Sequence, residues 1–278
     1  MRVTHAIAAA RQAVRDARAA GRTVGLVPTM GNLHEGHFAL IERARRECDV
    51  VAVSIFVNPT QFAANEDLSA YPRTPEADLA GCERRGVEVV FVPSEREIYP
   101  DGPPATEVRV PSLARHLCGR SRPGHFAGVC DVVAKLLHIL PADRAYFGEK
   151  DFQQLRIVQR MVRDLDFATE IVPCPIVREP DGLAMSSRNA YLSASERAQA
   201  PAIQRALRAG ADRIERYRPP VAEVVAEMRQ RLDRDAPDGE VDYLEIVDPG
   251  TLERVEHTGG RVLLAAAVRF GGARLIDN

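Results

Sequence analysis

Pro28-Thr29-Met30-Gly31-Asn32-Leu33-His34-Glu35-Gly36-His37 lies between a short apolar run, 24–28, and a stretch with helical spacing, 36–48. A strand that ends in a glycine-bearing turn and feeds a helix is the opening unit of a parallel α/β sheet. Gly31 permits a tight turn, and Gly36 lets a ligand approach the backbone where the helix begins. A helix start carries N–H groups with no partner inside the helix and a partial positive charge, which suits a phosphate. His34 and His37, three apart, fall on one face of the first turn and offer hydrogen bonds without a permanent charge. The two also read as a zinc pair, but their spacing is not that of His-Glu-x-x-His and no further ligand cluster accompanies them.

Working outward, strand and helix patterns alternate as far as about residue 177. Helices are expected at 4–20 (Thr4 as N-cap, Gly21 as stop), 36–48, 75–85, 129–140 and 152–165. Strands are expected at 24–28, 50–57, 87–92, 144–147 and 171–177. The run at 50–57 is strongly apolar, as in a strand buried on both faces. Pro173 and Pro175 assign the strand at 171–177 to an edge. This alternation predicts a Rossmann-like doubly wound parallel sheet, with ligands at the C-terminal ends of its strands near the switch point. Beyond 177 come helices at 193–216 and 221–233, split by Pro219-Pro220, then strands at 241–247, 261–268 and 274–277. The expected division is a nucleotide-binding domain over 1–176 and a smaller C-terminal α+β lid domain over 177–278.

Composition narrows the function. The 278 residues carry 37 Lys+Arg against 39 Asp+Glu, a net charge of −2, with 45% hydrophobic residues. That excludes wholesale disorder and a general nucleic-acid-binding surface. No run of about 18 apolar residues exists, so no membrane helix is expected. The Arg- and Ala-rich segment 1–21 lacks the apolar core of a secretory signal and reads as a first helix rather than a transit peptide. Five cysteines, none in a Cys-x-x-Cys pair, argue against a disulfide framework or zinc knuckle and fit a reducing cytoplasm. Lys135 and Lys150 are the only lysines in an otherwise all-arginine basic set; such a bias mostly reflects coding preference, but it draws attention to those two positions.

Further constellations follow strand ends. Ser54-Ile55-Phe56-Val57-Asn58-Pro59-Thr60-Gln61-Phe62 supplies Asn58 and Gln61, neutral groups able to donate and accept, although a strand ending in Asn-Pro is often only a turn. Phe147-Gly148-Glu149-Lys150-Asp151-Phe152-Gln153-Gln154 opens a helix, with Asp151 as N-cap, Gln154 on its first turns and Lys150 as a mobile cation suited to phosphate; a capped helix with a surface lysine is the plainer reading. Met185-Ser186-Ser187-Arg188-Asn189 sets two hydroxyls and a guanidinium in a row, enough to wrap a triphosphate, though the triplet also occurs by chance. The loop from Arg120 to Gly128 reads equally as an anion site or a solvated loop. Asp67 and Asp78 flank Tyr71-Pro72-Arg73-Thr74; Asp78 is the magnesium candidate, against the plainer reading of a surface helix acid. No Ser-His-Asp triad, dinucleotide fingerprint or P-loop is present.

His34-Glu35-Gly36-His37 resembles the His-x-Gly-His element of the nucleotidylyl-transferase superfamily. The longer string resembles the pantoate–β-alanine ligase family, through Val57-Asn58-Pro59-Thr60-Gln61-Phe62, Tyr71-Pro72-Arg73-Thr74, Arg122-Pro123-Gly124-His125-Phe126, Phe147-Gly148-Glu149-Lys150-Asp151, Met185-Ser186-Ser187-Arg188-Asn189 and the tail from Ala267 to Asn278. The resemblance implies ATP-dependent joining of (R)-pantoate to β-alanine through a pantoyl-adenylate, releasing AMP and pyrophosphate. It implies ATP contacts at Met30, Gly31, Asn32, Leu33, His34, Glu35, Gly36, His37, Gly148, Glu149, Lys150, Asp151, Val177, Met185, Ser186, Ser187 and Arg188. His37, with His34 and Lys150, would be catalytic, and Gln61, Gln154 and Asn58 would bind substrate. It further implies magnesium, a cytoplasmic homodimer, and no nucleic-acid or membrane partner. One departure is Cys130-Asp131, where the family usually shows threonine at the second position. Competing readings are a nucleotidylyl-transferase for a phosphorylated acceptor, which would need a basic pocket in place of Gln61 and Gln154, and a non-catalytic nucleotide-binding module, against which His37, Lys150 and Ser187 argue.

Overall fold

The computed structural model describes every residue except Ala64, Asn65 and Asp67. The chain divides into two compact units. The first comprises Met1–Pro111, Arg122–Glu149 and Gln154–Pro175; the second comprises Ser112–Ser121, Lys150–Gln153 and Ile176–Asn278. The last crossing falls between Pro175 and Ile176. The two short excursions of the chain into the second unit carry no periodicity of their own and had no sequence signal.

The first unit is a parallel sheet of β1 (Arg2–Thr4), β2 (Val24–Thr29), β3 (Val50–Ile55), β4 (Val89–Phe91), β5 (Arg144–Gly148) and β6 (Glu170–Cys174), in the order β1-β4-β3-β2-β5-β6. Its crossovers run through α1 (Ile7–Ala19), α2 (Glu35–Glu47), α3 (Pro75–Arg84), α4 (Glu95–Ile98), α7 (His125–Ile139) and α8 (Phe152–Asp164), while the short helices α5 (Pro111–Ala114) and α6 (Cys118–Ser121) fall almost wholly in the excursion 112–121 that belongs to the second unit. This is the expected doubly wound architecture, and β6 takes the edge that its prolines predicted. Val50, Val51, Ala52 and Val53 are buried, as a strand covered on both faces must be.

The strand order reverses at β2, so the switch-point crevice opens between the C-terminal ends of β2 and β5. The sequence explains why it opens there. Asp143 N–H donates to Val24 O (2.9 Å), while Val50 N–H donates to Thr23 O and Phe56 N–H to Thr29 O (both 3.0 Å). Even-numbered residues of β2 therefore face β5, and odd-numbered ones face β3. Pro28 belongs to the even set and has no N–H to give. Pairing with β5 stops at Leu26, whereas pairing with β3 continues to Thr29.

Among the boundaries that differ from expectation, three have a clear physical cause. Residues 2–4 pair with β4 as a short edge strand, so Thr4 is not the cap of α1; Ala6 occupies that place. Helix α7 begins at His125 because Gly124, at φ +84°, turns the chain directly into it, and Ala127-Gly128 are helical. The helix expected at 193–216 is broken at Pro201 into α9 (Ala194–Gln199) and α10 (Ala202–Tyr217).

The second unit packs α10 and α11 (Val221–Asp235) on an antiparallel sheet of β7 (Gly239–Val247), β8 (Leu263–Phe270) and β9 (Ala273–Asp277). Ile203, Leu207, Val224, Met228, Leu232, Val268 and Phe270 are among the side chains of its core. The segment Ser112–Ser121 is tied to this unit by polar contacts: Ser121 Oγ donates to Asp242, and Arg120 joins Arg254 in binding the buried Glu245. Burial pushes the Glu245 carboxyl up, but the Arg254 and Arg120 bonds outweigh it and hold the group below the usual carboxylate range. A carboxyl depressed in the folded state stabilises the fold above its unfolded pKa of about 4.3 and loses that contribution as pH falls through its folded value. Glu245→Gln is therefore expected to cost about 1–2 kcal/mol at pH 7, the two arginines being partly exposed. The melting temperature of the variant should also fall less steeply than that of the parent between pH 5 and 3; parallel melting curves across that range would contradict this.

Candidate functional site

The decisive stretch leaves β2 at Thr29, turns through two left-handed residues, Gly31 (φ +82°) and Asn32 (φ +50°), and enters α2 at Glu35. A Cβ on Gly31 would lie 3.1 Å from both Asp78 Oδ2 and Ile55 Cγ2, which fits the glycine expected there. Asp78 is buried at 2% exposure on α3 and clamps the turn. Its Oδ2 accepts from Asn32 N–H (2.9 Å), and its Oδ1 accepts from Leu33 N–H (2.7 Å) and from the Thr74 hydroxyl (3.0 Å).

Backbone partners determine where the two histidines carry their protons. Gly36 N–H donates to His34 Nδ1 (3.1 Å), and His34 N–H donates to His37 Nδ1 (3.3 Å). A backbone N–H can only donate, so both Nδ1 atoms are acceptors and each neutral ring holds its proton on Nε2. The rings sit 4.2 Å apart between centroids, tilted by 44°. The start of α2 is thus capped by its own histidines, and each of them carries its donor at Nε2.

At the end of β3, Asn58 and Gln61 are buried at 1% and 8% exposure. Asn58 Nδ2 donates to Gly128 O (3.0 Å) and Gln61 Oε1 (3.2 Å), and Gln61 Nε2 lies 3.0 Å from Met30 Sδ. The residues read from separate motifs, Met30, Asn58 and Gln61, are therefore in contact. The turn at Pro59–Gln61 is tied further by Arg122. This arginine makes a two-pronged pair with Glu66 (2.6 and 2.7 Å) and meets His125 Nε2 at 3.0 Å, while His125 Nδ1 donates to Gln61 O (2.8 Å). Of the basic loop 120–128, Arg120 and Arg122 are thus engaged with Glu245 and Glu66. Gly148 ends β5, where a Cβ would meet no neighbouring atom of the described residues within 4 Å; Glu149 follows it, and half-buried Gln154 is on the first turn of α8.

Lys150, Asp151, Val177 and 185–188 belong to the second unit. Lys150 is 19% exposed, with Nζ 3.7 Å from Asp151 Oδ2, and its carbonyl accepts from the Asn278 side chain (3.0 Å). Val177 O accepts from Met185 N–H (3.0 Å), closing a loop whose walls are held by Arg197 on Glu179 and Asp181. Ser186 caps a 3-10 turn, Ser187–Tyr191, its Oγ accepting from Arg188 N–H at 3.3 Å.

No group of three or more His, Cys, Asp or Glu that would hold a metal occurs among the described residues. Asp78, the expected ion ligand, directs both oxygens at protein donors, and Asp67 lies outside the described residues. A protein-built magnesium cage does not fit this arrangement. Among the described residues no helix is long and apolar enough to cross a membrane. Sequence reasoning missed Thr74 as a partner of Asp78, Tyr99 beside Asn58, and Gly128 beneath Gln61. Thr74 and Gly128 lay inside quoted stretches but were read for other roles, and Tyr99 carried no signal.

The family model described as pantoate-beta-alanine ligase matches residues 2–278. A pantothenate synthetase of Acetivibrio thermocellus is 48% identical over 278 residues, covering 100% of this chain and 98% of that one. The crystal structure of pantothenate synthetase from Thermus thermophilus aligns with a TM-score of 0.94 at 46% identity, over 100% of this chain and 98% of that one. A pantoate-beta-alanine ligase from Francisella tularensis, complexed with beta-gamma ATP and beta-alanine, aligns with a TM-score of 0.82 at 35% identity, over 100% and 96%.

Proposed function

The chain belongs to the pantoate-beta-alanine ligase family, and we propose that it condenses pantoate with β-alanine at the expense of ATP, through a pantoyl-adenylate. The observation that carries this reading is the start of α2 beside the switch-point crevice, where His34 and His37 both hold Nε2–H donors over a helix N-terminus.

The pantoate carboxylate attacks the α-phosphorus and pyrophosphate leaves. The step needs alignment and charge neutralisation rather than a side-chain nucleophile. The Nε2–H groups of His34 and His37 bind phosphate oxygens as neutral donors, and Lys150 supplies the positive charge. Met30 to Gly36, Gly148, Glu149, Asp151, Val177, Met185, Ser186, Ser187 and Arg188 complete the ATP contacts. Gln61 and Gln154 serve pantoate: they are neutral, so they orient its oxygens without neutralising the carboxylate that must attack. Asn58, expected beside them, is 1% exposed and has its amide engaged by Gly128, Gln61, Thr60 and Tyr99, so it holds Gln61 rather than substrate. The neutral amine of β-alanine then attacks the acyl carbon and AMP departs. The adenylate hydrolyses if water enters, so the second unit acts as a lid. We read Asp78 as the clamp of the 30–34 turn, and magnesium as arriving on the triphosphate, which is how this ion commonly binds. The protein works in the cytoplasm as a homodimer.

The test is AMP release with each substrate omitted in turn. AMP is expected only with ATP, pantoate and β-alanine together, and pantoate-dependent exchange of pyrophosphate into ATP is expected without β-alanine. Exchange that ignores pantoate but responds to a phosphorylated acceptor would overturn the assignment.

A further inference from the structure

Tyr99 takes no part in the chemistry above, yet its hydroxyl reaches the wall behind Gln61. The residue follows α4 and is 5% exposed, with its oxygen 2.9 Å from Asn58 Oδ1. Backbone groups fix the sense of the Asn58 amide. Gly128 O can only accept, and Nδ2 stands 3.0 Å from it; Thr60 N–H can only donate, and its partner is Oδ1 at 3.4 Å. Because Oδ1 accepts, the Tyr99 hydroxyl must donate. The other N–H of Nδ2 meets Gln61 Oε1, which fixes the second amide as well: its oxygen faces Asn58 and its Nε2 faces Met30.

We propose that Tyr99 is a positioning residue that acts through Asn58 to hold Gln61 with its N–H groups toward pantoate. The inference rests on the reading of Gln61 as a pantoate ligand. Gln61 then presents donors, so the site selects an acid with acceptor oxygens at that point and rejects an analogue that offers only a donor there.

Two residues of α7 support the relay. Lys135 Nζ lies 5.4 Å from the centroid of the Tyr99 ring, within reach of a cation–π contact, and a positive charge over the ring strengthens the phenol as a donor. Asp131, one turn earlier, accepts from Val108 N–H (2.7 Å) and anchors the chain that follows Tyr99. Burial pushes the Tyr99 hydroxyl up from its ordinary pKa, so the proton that the relay needs stays in place. Lys135 and Asp131 thereby acquire a shared setting, which neither had from sequence.

Tyr99→Phe removes the hydroxyl's bond to Asn58 Oδ1 and its longer contact with the Thr60 hydroxyl (3.4 Å), and little else. The KM for pantoate should rise about fivefold, the worth of a typical hydrogen bond, with the KM for ATP within twofold and the thermal melt retained. In a Gln61→Met background, assayed at raised pantoate, Tyr99→Phe should add nothing, because no amide remains to be oriented. The same additional factor in that background, a parallel rise in the KM for ATP, or an unchanged KM for pantoate in the single variant would overturn the relay alone. Parent enzyme without pantoate-dependent AMP release would overturn the function assigned above, and the relay with it.

Discussion

Replacing His37 with alanine is expected to lower the rate of pantoyl-adenylate formation by about 10²- to 10³-fold, the usual cost of losing one donor to a developing anion. Lys150→Ala should cost at least as much, since it removes a full charge. The histidine has two jobs that separate cleanly: Nδ1 accepts from His34 N–H and caps α2, while Nε2 keeps the proton for the ligand. Alanine loses both, so a stability loss of about 1 kcal/mol should accompany the loss of rate. His37→Asn restores an acceptor for the cap but does not extend to the position of Nε2, so it should recover the melting temperature and not the rate. Lys150→Arg keeps the charge in a planar, bulkier fork and should recover only part of the activity. Single-turnover formation of labelled pantoyl-adenylate, read beside circular dichroism, checks all four. Parent-like adenylate formation in both alanine variants would remove these residues from the mechanism.

The parts of this molecule that could be read from its sequence are those set by local rules. The apolar run at β3, the glycines of the 28–37 turn and the prolines of β6 each impose a local geometry, and together they yielded the parallel sheet and its edge. The opening of the crevice was encoded just as locally, in Pro28, but became legible only when the facing of alternate β2 residues was known. Long-range partners left no such trace. Asp78 resembles any acid in the first turn of a helix, and nothing in 75–84 shows that its carboxylate binds the N–H groups of residues 32 and 33. Tyr99 follows a helix of only four residues and gains its meaning from Asn58, 41 positions earlier. Lys135 stood out by composition alone; its place over the Tyr99 ring supplies the physical content.

Gly128→Ala is expected to lower kcat/KM for pantoate by about 10²-fold, the loss that a misplacement of about 1 Å can produce in an aligned site. Gly128 is on the first turns of α7, where alanine is ordinarily the better helix residue by about 1 kcal/mol. Here a Cβ would lie 2.5 Å from the Thr60 carbonyl carbon and 2.7 Å from Gln61 N. Both are backbone atoms and cannot swing aside as a side chain can, so α7 and the Pro59–Gln61 turn must part. That parting moves Gln61 itself and pulls Gly128 O away from Asn58 Nδ2, the contact that fixes the sense of both amides. Stability should fall by about 1–3 kcal/mol, as for other overpacked sites. Protection of the protein by ATP alone should persist, because the His34–His37 turn is held by Asp78 and not by this contact. Gly148→Ala is the matched control: its Cβ meets no neighbouring atom of the described residues within 4 Å, so it should melt like the parent. Any activity it loses then reports the approach of nucleotide to the end of β5. Kinetics in pantoate and in ATP, together with thermal melts of the two variants, decide the matter. A Gly128→Ala enzyme with parent-like kcat/KM for pantoate would show that the turn bearing Gln61 tolerates displacement, and that the pantoate site does not depend on it.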